Sequence, residues 1–360
     1  GCAMSKSTPV TSEQLAARTQ RAVAAATAAG RELGLAVEDP AVLHDSFSVL
    51  VHLRPSPVVA RVPVILPLGL QPNVQRARQE RELAITAWLA GRNFPVVRPS
   101  PLVPPAPVQR DGFSITFWEH VEVDSQAEPD WDARAPLVAD LHAALREYPM
   151  QMPFLSPLTL GVGAALSELE PHAGLLSAAD VDRAQREWQL LAPVFYSRGT
   201  FAAAFPGTYT HTLHGDSPAY NLIETSAGAR HADFEDVTSG PIEWDLTLLP
   251  QSALDAYDAY VVRIGLRRID PELLGVMNVL RLLLLGLLLT SVPAQARPAP
   301  PPDTPLDAFV AEAPEPGQTD TLFVQNLLTG EQQTLTVTGS RYSIIGDSVV
   351  FLDEASCRVQ

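Results

Sequence analysis

Apolar and polar residues alternate along this chain with two different periods, and the changes of period divide it. Near the N-terminus an alanine-rich stretch, punctuated by Arg18 and Arg21, keeps a helical spacing; Thr11 or Ser12 can cap it and Gly30 or Gly34 can end it. From Ala41 short runs of β-branched and aromatic residues, VLHDSFSVLVHL and then PVVARVPVIL, predict consecutive antiparallel strands with a turn at Arg54-Pro55-Ser56-Pro57. Residues 71–90 return to a helical period, with Leu83, Ala84, Ala87 and Trp88 on the apolar face and charges elsewhere. The prolines at 95, 99, 101, 104, 105 and 107 exclude a helix and predict an extended edge segment. Residues 112–118 then read as a strand, and Glu119-His120-Val121-Glu122 as the connection leaving it.

Further helices are predicted at 133–148, where Leu137, Leu141, His142 and Leu145 share a face, at 178–191 behind a Ser177 cap, and at 254–265 and 271–290. The last contains LLLLGLLL, but Asn278 and Arg281 leave too short an apolar run to cross a bilayer, so a helix buried on all sides is expected. Residues 298–317 are a proline-dense linker. Beyond it, strand-like runs alternate with turn signals at Thr329-Gly330, Gly339-Ser340 and Gly346-Asp347, predicting a small antiparallel sheet of three or four strands. So short a piece has little core of its own and is expected to pack on the body or on another copy of itself.

The candidate chemistry lies in residues 213–246, LHGDSPAYNLIETSAGARHADFEDVTSGPIEWDL, which hold Asp216, Asn221 and Asp233 in that order. Magnesium-dependent phosphoryl transfer needs a carboxylate aimed at the attacking hydroxyl and oxygen ligands that hold the cation against nucleotide phosphates. The short loop from Asp216 to Asn221 can present both side chains together, and a turn at Ser226-Ala227-Gly228 can return the chain as a hairpin carrying Asp233.

H-G-D-x4-N, then D-F-E-D, then G-P-x-E-W-D-L resembles the catalytic region of the aminoglycoside phosphotransferase family, the small-molecule relatives of protein kinases. The resemblance implies an α+β, two-lobed protein-kinase-like fold: an antiparallel β N-lobe with one helix, a mostly helical C-lobe, and here a C-terminal antiparallel β appendage. The implied division is an N-terminal extension to 40, an N-lobe at 41–122, a C-lobe at 123–297, the linker at 298–318 and the β module at 319–360. Asp216 would take the proton of the acceptor hydroxyl, and Asn221 and Asp233 would hold Mg²⁺. Arg61 stands where protein kinases carry the strand lysine, and Glu82, in an R-E-x5-W-L pattern, where they carry its helix partner, with Glu80 a rival on another face. The loop at 44–48 contains no glycine; Ser46 and Ser48 there would meet phosphate oxygens. Backbone groups of Glu119 to Val121 would receive the adenine edge. His214 and Asp245 are expected to support the loop and His142 to be a satisfied core histidine; Glu235 and Asp236 could assist the metal or be solvated loop charges, the second reading being preferred. Asp255, Asp258 and Glu272 are places where a cationic substrate could be held, although ordinary solvated charges fit them as well.

Charge and cysteine content narrow the partners. Arginine and lysine total 25 against 41 acidic residues, a formal charge of −16, which argues against nucleic acid and is compatible with cationic small molecules. Cys2 and Cys357 lie at opposite ends and build no disulfide framework, Arg18 and Arg21 spoil any signal-like apolar core, and Met4 reads as the native start. The expectation is a cytoplasmic kinase using Mg²⁺ and ATP or GTP on a small-molecule hydroxyl, with homo-oligomerisation open through the β module. A non-catalytic nucleotide- or metabolite-binding scaffold is the alternative.

Overall fold

A computed structural model describes residues 12–66, 70–124, 129–159, 162–163, 166 and 178–291, and five strand segments between 319 and 359. The predicted linker at 298–317, the Ser177 cap and the turns of the C-terminal module lie outside the described residues. The described chain divides into two compact units, one made of residues up to Ser156 with Thr210–Arg268, the other of residues within Pro157–Tyr209 and Ile269–Ser291 and of the C-terminal strands.

The first unit begins with helix α1 (Ser12–Glu32), whose Ala22, Ala25, Ala26 and Ala29 are fully buried. Small side chains at helical spacing let the helix lie close on a sheet. Gly30 continues that face, where a Cβ would come within 2.8 Å of Leu53 Cδ1. The sheet has five antiparallel strands in the order β1-β2-β3-β5-β4: β1 (Val37–Asp45), β2 (Ser48–Pro55), β3 (Val58–Pro63), β4 (Val108–Arg110) and β5 (Phe113–Glu119). Val49, Val51 and Leu53 alternate with less buried residues along β2 and join Val58, Ala60, Val62, Ile115 and Phe117 in one core with α1. Full burial of each such aliphatic side chain contributes about 1.5–3 kcal/mol. The proline-rich segment follows the sheet's margin as expected, bridging Pro99 to Trp118 and supplying β4 as the edge strand.

Helix α2 (Pro72–Ala90) corrects the sequence reading of its face. Ala84 and Ala87 are exposed, whereas Gln75, Arg78, Gln79, Glu82 and Thr86 are buried together with Leu83, Ile85 and Leu89. The stripe that faces inward is polar because Gln75, Arg78, Gln79 and Glu82 find polar or charged partners on other elements of the unit, which hydrophobic periodicity cannot register. Helix α3 (Trp131–Leu145) starts at an Asp130 cap that accepts from Ala133 N at 3.0 Å, and it buries Leu141, His142 and Leu145.

In the second unit lie α4 (Ala178–Phe195) and α5 (Arg198–Ala204), the latter opened by a Ser197/Thr200 capping box, with Phe195, Phe201 and Phe205 clustered at 5.2–6.1 Å. The first unit continues with short strands β6 (His211–Leu213), β7 (Leu222–Ile223), β8 (Arg230–His231) and β9 (Thr238–Gly240), and then α6 (Gln251–Arg263). Helix α7 (Pro271–Ser291) belongs to the second unit; Leu273, Met277, Leu280 and Arg281 are buried along it. No helix among the described residues is long and apolar enough to cross a membrane.

The C-terminal strands form two sheets, of two and three strands, rather than the single sheet of three or four strands expected from sequence. Strand β10 (Thr319–Gln325) pairs with β11 (Gln332–Thr338), and β12 (Arg341–Ile345) pairs with β13 (Ser348–Asp353), which pairs with β14 (Arg358–Val359). All pairings are antiparallel, each between neighbours in the chain, so strand alternation is readable in sequence while the grouping of the strands is not.

Candidate active site

Strands β6 and β9 pair with each other, as do β7 and β8, and these two small ladders carry the motif residues. Between β6 and β7 the chain runs through His214, Gly215, Asp216 and Asn221. Four side chains, the adjacent Trp244 and Asp245, His214 of the loop itself and Arg134, hold that loop by its backbone. Asp245 accepts from His214 N at 2.9 Å and Gly215 N at 2.8 Å, and Trp244 Nε1 donates to Gly215 O at 2.7 Å. The His214 ring bridges Asp216 N at 3.3 Å and Ala232 O at 2.8 Å, so Nδ1 accepts and Nε2 donates. Arg134 of α3 donates to the carbonyls of Ala219 at 2.9 Å and Leu222 at 3.2 Å. Nothing in the local sequence marks Arg134, which lies 85 positions before its first partner.

Asp245 is fully buried, and its Oδ2 also meets His142 Nε2 at 3.2 Å, while His142 Nδ1 meets Tyr257 OH at 2.8 Å. Burial alone would push this carboxyl up. Hydrogen bonding by His142, the electrostatic influence of the His142 and His214 rings, and the Gly215 N–H outweigh it and hold the group below the usual carboxylate range.

Asn221 Nδ2 donates to Asp216 O at 2.6 Å and approaches Asp216 Oδ2 at 3.4 Å, which places the amide beside the candidate base. That orientation leaves Asn221 Oδ1 without a donor among the described residues. Ala232 N donates to Asn221 O at 2.9 Å, so the residue before Asp233 is tied directly to Asn221. Asp233 adopts the left-handed conformation, with φ of 61°, and opens one turn of 3-10 helix, Phe234–Asp236. Phe234 fills the core beside the His214 ring, at 4.5 Å between centroids.

Arg61 on β3 reaches this group. Its Nη1 donates to Glu82 Oε1 at 2.9 Å; its Nη2 lies 2.8 Å from Asp233 Oδ1 and 2.8 Å from Glu235 Oε2. Glu80, the rival of Glu82, pairs instead with Arg76 on the exposed side of α2. Glu235 is not a solvated loop charge: Gln75 Nε2 donates to its Oε1 at 2.6 Å and Arg78 Nη1 stands 3.7 Å away. Asp236 is likewise engaged, by Arg78 Nη2 at 2.6 Å. Burial works against ionisation of Glu235, but Arg61, Arg78 and the Gln75 hydrogen bond outweigh it and lower its pKa. Glu82 moves the other way, raised first by burial and then by Asp233 and Glu235 against the pull of Arg61; its Oε2 is buried with no partner among the described residues. Asp233, Glu82 and Glu235 together keep Arg61 firmly protonated despite its burial.

Ser48 Oγ lies 3.4 Å from Arg61 Nε, bringing the β1–β2 loop to the same guanidinium. Ser46 sits at the loop's tip with its hydroxyl 2.8 Å from His44 Nε2. The role of α1, invisible in sequence, is partly here: Arg18 and Thr19 both bond Asp45 at the base of this loop. At the end of β5, Glu119 N donates to Arg98 O at 2.9 Å and His120 N to Pro57 O at 3.1 Å. Of that stretch, the Val121 amide is the one with no hydrogen bond among the described residues. Asp255, one of the candidate cation holders, accepts from Gln251 Nε2 at 2.8 Å within its own helix.

The donor set fits magnesium. Asn221 Oδ1 and Asp233 Oδ2 are hard oxygens that accept no hydrogen bond among the described residues, and no three His, Cys, Asp or Glu side chains there converge as a closed metal cage. Mg²⁺ ordinarily takes one or two protein oxygens and completes its shell with water and phosphate.

No family model matches the chain, and no curated protein matches it. Solved structures do. The choline kinase LicA from Streptococcus pneumoniae is similar over 73% of this chain and 89% of its own, with 13% identity and a TM-score of 0.50. The amicoumacin kinase hAmiN, solved with AMP-PNP, Ca²⁺ and Ami, is similar over 80% of this chain and 90% of its own, with 11% identity and a TM-score of 0.50. The five-stranded antiparallel sheet, the helix crossing behind it and the hairpins that bear the acid, amide and acid are thus the protein-kinase-like fold shared with these small-molecule kinases.

Proposed function

We propose that the chain is a small-molecule kinase that transfers the γ-phosphoryl group of ATP or GTP to a hydroxyl of a small acceptor, with Mg²⁺ bound between nucleotide and protein. The observation that carries this reading is the convergence of Asp216 and Asn221 on one loop, Asp233 on the chain tied to Asn221, and Arg61 on Asp233. Such a constellation is what phosphoryl transfer asks of a protein, since positioning and electrostatics rather than covalent chemistry carry the rate.

In this reading Asp216 orients the acceptor hydroxyl and takes its proton as the oxygen attacks phosphorus. The Asn221 amide N–H₂, bonded to the Asp216 carbonyl and near its carboxylate, fixes the base while the amide oxygen faces the cation. Asn221 Oδ1 and Asp233 would hold Mg²⁺, which when bound screens the phosphate charge. Arg61, oriented by Glu82, offers its guanidinium to the α- and β-phosphates, and Ser48 and Ser46 offer hydroxyl groups from the β1–β2 loop. A nucleobase edge at the end of β5 would use Val121, because the Glu119 and His120 amides are already committed to Arg98 and Pro57.

Replacing Asp216 with Ala tests the assignment. Transfer of labelled phosphate across a panel of amino alcohols, sugars and aminoglycosides is expected to fall by about 10²–10⁴-fold, with Mg-ATP affinity unchanged within about twofold, because Asp216 is not a ligand in this scheme. Undiminished transfer by the variant refutes the role.

A further inference from the structure

The Arg61 guanidinium serves three carboxylates, and they are not equivalent. Glu82 takes Nη1 alone, whereas Asp233 Oδ1 and Glu235 Oε2 share Nη2, each at 2.8 Å. Glu235 is fixed independently of Arg61, because its second oxygen is held by Gln75 Nε2 at 2.6 Å and faces Arg78. Arg78 in turn grips Asp236, so the turn that carries Glu235 is pinned to the polar face of α2 at two points. Asp233 has no such second anchor among the described residues, and its side chain is 43% exposed against 14% for that of Glu235. One donor group therefore has a fixed acceptor and one that can turn away.

We propose that Glu235 is a positioning residue that competes with Asp233 for Arg61 Nη2, freeing the Asp233 carboxylate for the divalent cation while keeping the guanidinium aimed at the phosphates. The inference rests on the nucleotide–cation reading of the site given above. An ammonium at position 61 would present one point charge and need one carboxylate. A planar fork presents two Nη groups, and the second would close on Asp233 unless another acceptor holds it. Without Glu235 a cation would have to break the only ion pair of Nη2; with it, the pair to Asp233 is one of two and Nη2 stays satisfied when Asp233 leaves.

The test is a double-mutant cycle on cation binding, read by the electron paramagnetic resonance signal of free Mn²⁺ in the presence of ADP, without any turnover. Glu235→Gln in the full chain is expected to weaken Mn²⁺ binding by about fivefold or more, because Asp233 then becomes the sole carboxylate on Nη2. In an Arg61→Met background the same substitution is expected to change Mn²⁺ affinity by less than about twofold, because the competitor is gone. Circular dichroism and thermal melts check that each variant is folded. Should Arg61→Met not fold, Arg61→Lys, whose single ammonium can satisfy Glu82, serves as the second background. Equal weakening by Glu235→Gln in both backgrounds would make Glu235 a cation ligand and overturn the proposal, as would no weakening in either. Absence of Mn²⁺ binding by the wild-type chain with ADP would instead bring down the reading of the site itself, and this inference with it.

Discussion

Gly215 shows how closely the loop between β6 and β7 is built against its neighbours. Its φ is +94°, and a Cβ there would sit 1.8 Å from the carbonyl oxygen of Asp236, so neither the conformation nor the space admits a side chain. Gly215→Ala is expected to cost roughly 2–4 kcal/mol of stability, measured by chemical denaturation, and to abolish phosphoryl transfer because the Asp236 segment leads directly into the Arg78 and Glu235 contacts. Asp245 is a second such point. Replacing it with Ala would orphan two loop N–H groups and His142 Nε2 in the buried interior, a loss of about 3–5 kcal/mol on the scale of removing one partner from a buried charged network; stability within about 1 kcal/mol of wild type, on the scale of an exposed ion pair, would contradict the burial of this carboxylate. The motif made Asp216, Asn221 and Asp233 candidates in the sequence, but it could not give Glu235 its place. Its partners Gln75 and Arg61 lie 160 and 174 positions away, and a DFED run reads as solvated charge until the chain is folded.

Helix α2 carries this lesson at the scale of an element. Its limits were readable from the helical period over 71–90, but its inward face was not, because Gln75, Arg78, Gln79 and Glu82 are buried as a polar stripe by partners on other elements. Hydrophobic periodicity assumes that burial selects apolar residues, and that assumption fails where a helix serves a charged site. Ala87→Lys, on the exposed face, is expected to change stability by less than about 0.5 kcal/mol. Gln75→Ala, which removes the hydrogen bond to Glu235, is expected to cost about 1–2 kcal/mol; equal effects of the two substitutions in denaturant titrations would contradict the burial pattern. The strands of the N-terminal sheet were legible because alternation along β2 and the 54–57 turn are local signals. The function of α1 was not, since its alanines and its Arg18 and Thr19 contacts to Asp45 acquire meaning only against the sheet.

At the scale of the whole molecule, the fold was legible through three linked motifs, although identity to the solved kinases is only 11–13%. Chemistry constrains a few spaced residues while leaving most packing positions free to change, and the acceptor, which no motif encodes, is correspondingly not readable. Acid sensitivity is a property of the buried interior as a whole. Burial pushes the His211 and His231 imidazoles down to about 3, with nearby histidines adding to the shift. Unfolded, both titrate near 6.5, so their contribution to stability is complete above that pH and is lost as pH falls towards 3, where the unfolded chain binds protons that the folded one refuses. Between pH 7.5 and 5 the two together are expected to remove roughly 3–4 kcal/mol, seen as a lower denaturant midpoint that His231→Gln partly restores; a pH-independent midpoint would contradict the burial of these rings. The proposal that Asn221, Asp233 and Arg61 build one magnesium–nucleotide site is open to calorimetric titration of Mg-ATP into the wild-type chain and its Asp233→Ala variant. Saturable one-to-one binding is expected, collapsing with EDTA and weakening by at least about tenfold in the variant. No binding, or binding indifferent to both magnesium and Asp233, would contradict it.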